Sequence, residues 1–295
     1  MVHSANAPSV LTSTFEAVRR GGTAPLADMP RLKIEELRPL WRNELFSVDA
    51  WMIDPATAIN PGEAGGYRVR GTAPFGAYLK PTRLCSEDTP RAANEKIVAD
   101  LAYELGLSVP PVLLYRRPGV AAGEETRCCL SLIMYPEQYE WGLIFGITTM
   151  PPPVPQIIRA SISRYSETLA LDLWIGQTDR NNARNVILGV DPDDQTDMAF
   201  LFLDHAYTLN HGNRWAAAGR DRIEMVPIPQ VFRDSIFKPR LVQGADRIAA
   251  LPDETIRAVV SRIPDDYMTA AHKGVVLDGL VSRQPGLPEF VKQNF

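Results

Sequence analysis

With 295 residues, 45% of them hydrophobic and 22% charged, the chain can bury a substantial core, and its composition excludes a disordered polymer. A net charge of −4 excludes a global basic field of the kind that gathers nucleic acid. No apolar run is long enough to span a bilayer, and Met1-Val2-His3-Ser4-Ala5-Asn6 lacks the basic and apolar regions of a signal peptide, so a cytoplasmic protein without membrane or nucleic-acid partners is expected.

Three cysteines, Cys85, Cys128 and Cys129, form no CxxC pair and leave an odd count, the pattern of reduced thiols. Residues 1–60 are read as an extension packed on the lobe that begins near residue 61, with short helical turns at Phe15–Arg20 and Leu32–Leu40. From Tyr67 the text turns to strands. Tyr67–Gly71 and Ala77–Lys80, joined by a Gly- and Pro-containing turn, predict a hairpin. A helix comes next, with Thr89 as its cap, Pro90 in its first turn and Gly106 at its end, and Ile97, Leu101 and Leu105 repeat at helical spacing. Val112–Tyr115 and Cys128–Tyr135 read as strands, the second apolar enough to be central and ended by Pro136.

The proline cluster at 151–155 is the expected boundary between lobes. Beyond it, Ile158, Ile162, Tyr165, Leu169 and Leu173 mark a long amphipathic helix. A polar loop, Gln177–Arg184, leads into a second hairpin, Val186–Leu188 and Phe200–Leu203, around the acidic turn Asp191–Asp197. The remainder is helical, with Ile256, Val259, Val260 and Ile263 on one face and Tyr267–Val281 continuing in the same way. The order predicts an α+β, two-lobed chain: a small β-rich N-lobe at 61–150, a larger helical C-lobe at 151–295, and a cleft at the join.

Phosphoryl transfer asks a protein for a cation on the nucleotide phosphates, hard oxygen ligands for a metal, and a carboxylate to orient the acceptor. The chain offers all three. Lys80 ends a strand just after a Gly-containing turn, where it can meet phosphate oxygens, and Glu95 lies in the capped helix where it can hold Lys80 by an ion pair. Taken alone, these residues read more simply as a surface lysine and a solvated helix glutamate. The second constellation is more specific. Asp179 and Asn185 stand on a polar loop between a helix and a strand, and Asp204 comes directly after an apolar strand. Asn185 and Asp204 would stand at neighbouring strand ends, close enough to share Mg²⁺, with Asp179 facing the γ-phosphate and the acceptor. An Asn/Asp-rich turn is the plain alternative, but it would leave several oxygens to satisfy beside a buried strand.

These segments together, Asn94-Glu95 leading a helix into Leu105-Gly106-Leu107-Ser108-Val109-Pro110, then Thr178-Asp179-Arg180 through Asn185-Val186-Ile187-Leu188, then Leu203-Asp204-His205, resemble the HipA-like kinase family. That family is a distant relation of the phosphatidylinositol 3-/4-kinases and the eukaryotic protein kinases. The resemblance runs from about Tyr67 to Asp204. It implies a protein-kinase-like fold and transfer from Mg-ATP to a hydroxyl of a protein or of a small molecule, with Ser/Thr of a protein as the favoured acceptor. Lys80 would be the ATP-phosphate lysine, Glu95 its partner, Asp179 the catalytic base, and Asn185 and Asp204 the metal ligands. Ile133-Met134-Tyr135 would be the hinge that meets adenine.

Asp179 and Asn185 are six positions apart, one more than the family's usual spacing, so a bulge within Arg180–Arg184 or a share of the role for Asn182 is implied. Gly71 and Gly76 make only a sparse phosphate loop, and His205-Ala206 stands after the acidic residue where Phe-Gly is common in kinases. The altered spacing keeps open a nucleotide-binding pseudokinase or scaffold. A metal-dependent hydrolase reading rests on Asp204, His205 and His211, whose spacing fits no helical ligand pair. Trp41, Trp51, Trp141, Trp174 and Trp215 are dispersed and read as core or rim. Arg214, Arg220 and Arg222, near Trp215, could meet a phosphorylated or acidic partner but read first as a solvated face.

Overall fold

The computed structural model describes residues 51–53, 67–71, 76–81, 90–116, 127–140, 156–182, 185–191, 193–194, 197–215, 219–233 and 236–295. The turns expected at Phe15–Arg20 and Leu32–Leu40, Thr89, Cys85 and the proline cluster lie outside the described residues.

Strands β1 (Trp51–Ile53), β2 (Tyr67–Gly71), β3 (Gly76–Pro81), β4 (Val112–Arg116) and β5 (Arg127–Leu132) form one antiparallel sheet in the order β1-β2-β3-β5-β4. The expected first hairpin is β2–β3. The two-residue period of the pleat sorts the side chains of this sheet into two cores. Val112, Leu114 and Cys129 join the large core, while Ala77, Leu79, Leu113, Tyr115, Cys128 and Leu130 join a second one. Lys80 pairs with Cys129 across β3 and β5, so both point to the face on which helix α1 (Arg91–Glu104) packs.

Helix α1 is buried from Ala92 through Ala102, and Asn94, Glu95, Lys96 and Asp100 are buried with it. Four polar side chains inside a core demand partners. Pro90 occupies the cap position without a side-chain cap, one residue ahead of the first helical position expected for it. Gly106 ends the helix with φ +66°, and Leu107 N–H reaches Ala102 O at 2.8 Å. This is the Schellman closure that a glycine in the left-handed region permits. It turns the chain through Ser108, whose carbonyl accepts from Phe202 N–H at 3.1 Å, and on into β4.

The strand expected over Cys128–Tyr135 stops at Leu132. Ile133–Pro136 is a connection, and Glu137–Glu140 resumes as strand β6 in a second antiparallel sheet, β6-β7-β8, with β7 (Val186–Val190) and β8 (Met198–Phe202). The expected second hairpin is therefore joined by a strand from the segment before it.

Helix α2 (Gln156–Ile175) runs through the centre of the larger lobe, with Tyr165, Leu169, Ala170, Leu171, Leu173, Trp174 and Ile175 inaccessible to solvent. Burying Leu169 or Leu173 stabilises by about 2 kcal/mol each. Around it lie α3 (Gln230–Arg233), α4 (Lys238–Ala249), α5 (Asp253–Ser261), α6 (Ala270–Arg283) and α7 (Leu287–Asn294). The helix expected from Tyr267 starts later, at Ala270, where Thr269 Oγ1 accepts from His272 N–H at 3.3 Å. Among the described residues no helix is long and apolar enough to cross a membrane. The architecture is the expected one, a small β-rich lobe and then a larger helical lobe.

Candidate active site

Helix α2 ends as α1 does. Gly176 takes φ +66°, and Gln177 N–H closes onto Asp172 O at 2.9 Å. The turn delivers the chain into the polar loop, where Gln177 is buried. Its Nε2 donates to Asp204 O at 2.9 Å, and its Oε1 accepts from Asp179 N–H at 3.0 Å. One side-chain amide thus ties the backbone of Asp179 in the loop to that of Asp204, two residues beyond β8.

The lysine and glutamate meet. Lys80 Nζ lies 2.6 Å from Glu95 Oε1 and 3.5 Å from Asp204 Oδ1. Glu95 Oε2 accepts from His205 N–H at 3.1 Å. Burial works against the Lys80 ammonium, but the Asp204 and Glu95 carboxylates outweigh it and raise its pKa above the ordinary 10.5. Burial likewise opposes the Glu95 carboxylate, and the Lys80 charge with the hydrogen bonds from His205 and Lys80 holds its pKa well below the ordinary 4.5.

Asn185, 2% exposed, donates its amide nitrogen to Asp179 O at 2.8 Å and to Asp179 Oδ2 at 3.1 Å. Asn182, by contrast, is exposed. Between Asp179 and Asn185, Asn182 N–H donates to Asp179 O at 3.2 Å and Asn185 N–H donates to Asn182 O at 2.9 Å. Leu203 N–H then donates to Asn185 O at 2.9 Å, which sets the two strand ends side by side.

Arg180, absent from the candidates drawn from the sequence, is the hub beneath the site. Its guanidinium is inaccessible to solvent and grips Asp172 through two bonds of 2.9 Å. It also donates to Asn185 O at 3.0 Å and Leu203 O at 2.8 Å, and contacts His205 Nε2 at 3.0 Å. A guanidinium can only donate, so His205 Nε2 accepts and the ring proton sits on Nδ1, facing Glu95 Oε2 at 3.8 Å. Burial lowers the His205 pKa, in keeping with this neutral tautomer. The signal for Arg180 was present: Asp172 stands in the apolar run Leu169-Ala170-Leu171-Asp172-Leu173-Trp174, and a carboxylate there requires a buried cation.

Asp204 itself adopts φ +58°, a left-handed conformation that L-residues other than glycine adopt at a cost. Leu203 O, Asp204 O and His205 N–H are all held, by Arg180, Gln177 and Glu95 respectively, so the surroundings over-determine the turn.

Ile133, Met134 and Tyr135, the segment expected to meet adenine, are buried between β5 and β6, and Ile133 N–H donates to Gly76 O at 2.9 Å. Tyr135 packs its ring on Gly189 and donates its hydroxyl to Asp197 Oδ1 at 3.1 Å. Gly71 ends β2 and Gly76 begins β3. The turn between them lies outside the described residues. His211, from the hydrolase reading, packs edge-on against Tyr207, whereas His205 is taken by Arg180 and Glu95. Among the described residues no group of three or more His, Cys, Asp or Glu side chains is arranged to hold a metal ion.

The fold is that of a two-lobed, protein-kinase-like chain, and the protein-kinase-like fold that the resemblance implied is borne out. The proinflammatory kinase CtkA of Helicobacter pylori is similar with a TM-score of 0.61 and 11% identity, over 85% of this chain and 98% of that one. Weaker likenesses are to HipA of Shewanella oneidensis MR-1, from a complex with HipB and operator DNA, and to a Golgi casein kinase with Mn/ADP bound. The HipA chain gives a TM-score of 0.45 at 14% identity over 95% and 72% of the two chains. The Golgi kinase gives 0.48 at 11% over 99% and 90%. No family model matches the sequence, and no curated protein matches it either.

Proposed function

We propose that the protein is an ATP-dependent phosphotransferase that transfers the γ-phosphoryl group of Mg-ATP to a hydroxyl, with Ser/Thr of a protein as acceptor. The observation that carries the reading is the convergence of Lys80, Glu95, Asp179, Asn185 and Asp204, distant along the chain, on the join between the lobes. In this reading 61–150 form the nucleotide-binding lobe and 151–295 the catalytic one.

Lys80, steered by Glu95, binds phosphate oxygens of the nucleotide, and Ile133–Tyr135 line the adenine side, with Gly71 and Gly76 flanking the phosphate turn. Mg²⁺ fits the residues present: Asp204 and Asn185 offer hard oxygens, and such a cation is held by one or two protein oxygens plus substrate phosphates, not by a full protein cage. Asn185 commits its nitrogen to Asp179, and the amide oxygen is the group suited to the ion. When bound, the ion would neutralise charge on the phosphates. Asp179 orients the acceptor hydroxyl and takes its proton as the new O–P bond forms and the bond from phosphorus to the β,γ-bridging oxygen breaks.

The test is transfer of label from γ-labelled ATP with Mg²⁺, to the protein itself and to a cell lysate, beside Asp179→Ala and Asp204→Ala. Label carried by the wild type and by neither variant supports the reading. Absence of transfer by the wild type overturns it. Thermal stabilisation by Mg-ATP without transfer would instead indicate a nucleotide-binding pseudokinase.

A further inference from the structure

Asn94 is fully buried in α1, immediately before Glu95. Its side-chain nitrogen donates to two carbonyls more than a hundred residues away in the chain, Ala206 O at 3.2 Å and Thr208 O at 3.0 Å. The reverse orientation of the amide would press oxygen against both carbonyl oxygens, so the two acceptors fix it. The cost of that orientation is visible on the other side of the group, where Asn94 Oδ1 is buried without a hydrogen-bond partner among the described residues. One helical position on, Glu95 Oε2 accepts from His205 N–H. The segment after Asp204 is therefore stapled to α1 at three points, His205 N–H, Ala206 O and Thr208 O. Thr208 closes the turn from within, its hydroxyl donating to His205 O at 2.6 Å.

We infer that Asn94 is a positioning residue for the phosphotransfer reaction, latching α1 to the Ala206–Thr208 turn so that the Lys80–Glu95 pair and the left-handed Asp204 are assembled before any nucleotide arrives. The inference rests on the function proposed above for its kinetic consequence, and on geometry alone for the latch. Glu95 reaches Lys80 and His205 only from one depth and rotation of the helix. Asn94, its chain neighbour, bonds the same segment of the C-lobe just beyond His205, and so fixes both. Without the latch, α1 and the turn keep the bond from His205 N–H to Glu95 Oε2 and the Arg91 guanidinium over the Tyr207 ring, and Asp204 loses a restraint on a backbone conformation that is unfavourable by itself.

Asn94→Leu keeps the branched shape and removes the donors, and Asn94→Ala serves as a second variant should the first not fold. Two sets of readouts are taken on the whole protein. Amide hydrogen exchange over residues 203–209 and acylation of Lys80 by an amine-reactive ester, both without nucleotide, report the latch. Label transfer from γ-labelled ATP reports its consequence. Expected are faster exchange and faster Lys80 acylation in the variants, with kcat lower by about tenfold or more, the effect of losing two net hydrogen bonds. A double substitution with Glu95→Gln should lose less than the product of the single effects, since both act through one position of α1. Exchange and acylation unchanged from wild type in a folded variant overturn the latch, whatever the transfer assay reads. If both rise while the wild type itself transfers no phosphate, the latch stands and the proposed reaction fails. Multiplicative effects with Glu95→Gln would reduce Asn94 to a packing residue and also overturn the inference.

Discussion

Lys80 and Glu95 are the residues on which nucleotide contact would depend, and their pH behaviour is predictable in sign. The Glu95 pKa is depressed in the folded protein, so its contribution is present above its unfolded value near 4.5 and is lost as pH falls through the lower folded value. The Lys80 pKa is raised, so its contribution is complete below 10.5 and is lost only as pH climbs beyond that. The pair is therefore at full strength across the neutral range. Glu95→Gln should flatten the acid limb of stability below about pH 4.5, as followed by thermal melts at a series of pH values, and Lys80→Ala should weaken ATP binding while the fold is retained.

The Asp172–Arg180 pair gives a sharper residue-scale expectation. Arg180→Leu strands a carboxylate that is inaccessible to solvent, a loss of roughly 3–5 kcal/mol. The double variant Asp172→Leu/Arg180→Leu should recover much of that stability in denaturant titration. Phosphotransfer should not recover with it, because Asn185 O, Leu203 O and His205 Nε2 still lack their common donor.

Among the elements, the decisive features are where strands and helices stop. Both α1 and α2 close with a glycine in the left-handed region, and each closure feeds the site: one into Ser108 and β4, the other into Gln177 and Asp179. The connection between the sheets depends on another glycine. A β-carbon at Gly189 would run into the ring of Tyr135, the last residue of the Ile133–Tyr135 segment proposed to line the adenine side. Gly189→Ala should cost about 1–3 kcal/mol by overpacking and, on the proposed function, weaken nucleotide binding by displacing Ile133–Tyr135, read by thermal melts and by calorimetric titration with ATP. Leu132 ends β5 and Glu137 begins β6. The apolar run through Tyr135 hides that break, because a buried connection and a buried strand have the same composition.

Across the molecule, the lobes are pinned on more than the side of the candidate site. Tyr267 donates its hydroxyl to Tyr115 O at 2.7 Å, Arg116 pairs with Asp266 at 2.6 Å, and Arg127 donates to Asp266 O. Asp100 of α1 lies 3.7 Å from Arg262 beyond α5. With contacts at both margins the lobes should unfold together: fluorescence of Trp174 and Trp215 in the helical lobe and hydrogen exchange of β3–β5 should report one coincident transition in denaturant. Tyr267→Phe should cost about 1 kcal/mol. Separate transitions would show that the two margins do not couple the lobes.

The order of elements and the chemistry-bearing residue types were legible before any coordinates. Hydrophobic period, glycine at helix ends and an acid placed directly after an apolar strand are local signals, each contained within a few consecutive residues, and α1, α2 and both hairpins were readable through them. Lys80, Asp179, Asn185 and Asp204 could be chosen because each sits at or beside the end of such an element. Other features came only from the fold: that β6 pairs with β7, that Arg180 turns inward to Asp172, that Asn94 reaches Ala206 and Thr208, and that Asp204 adopts φ +58°. Hydrogen-bond partners inside a core are set by which elements pack together, and packing depends on the whole chain at once. A buried Asn, Arg or Gln announces that it needs a partner, and only the three-dimensional arrangement says which.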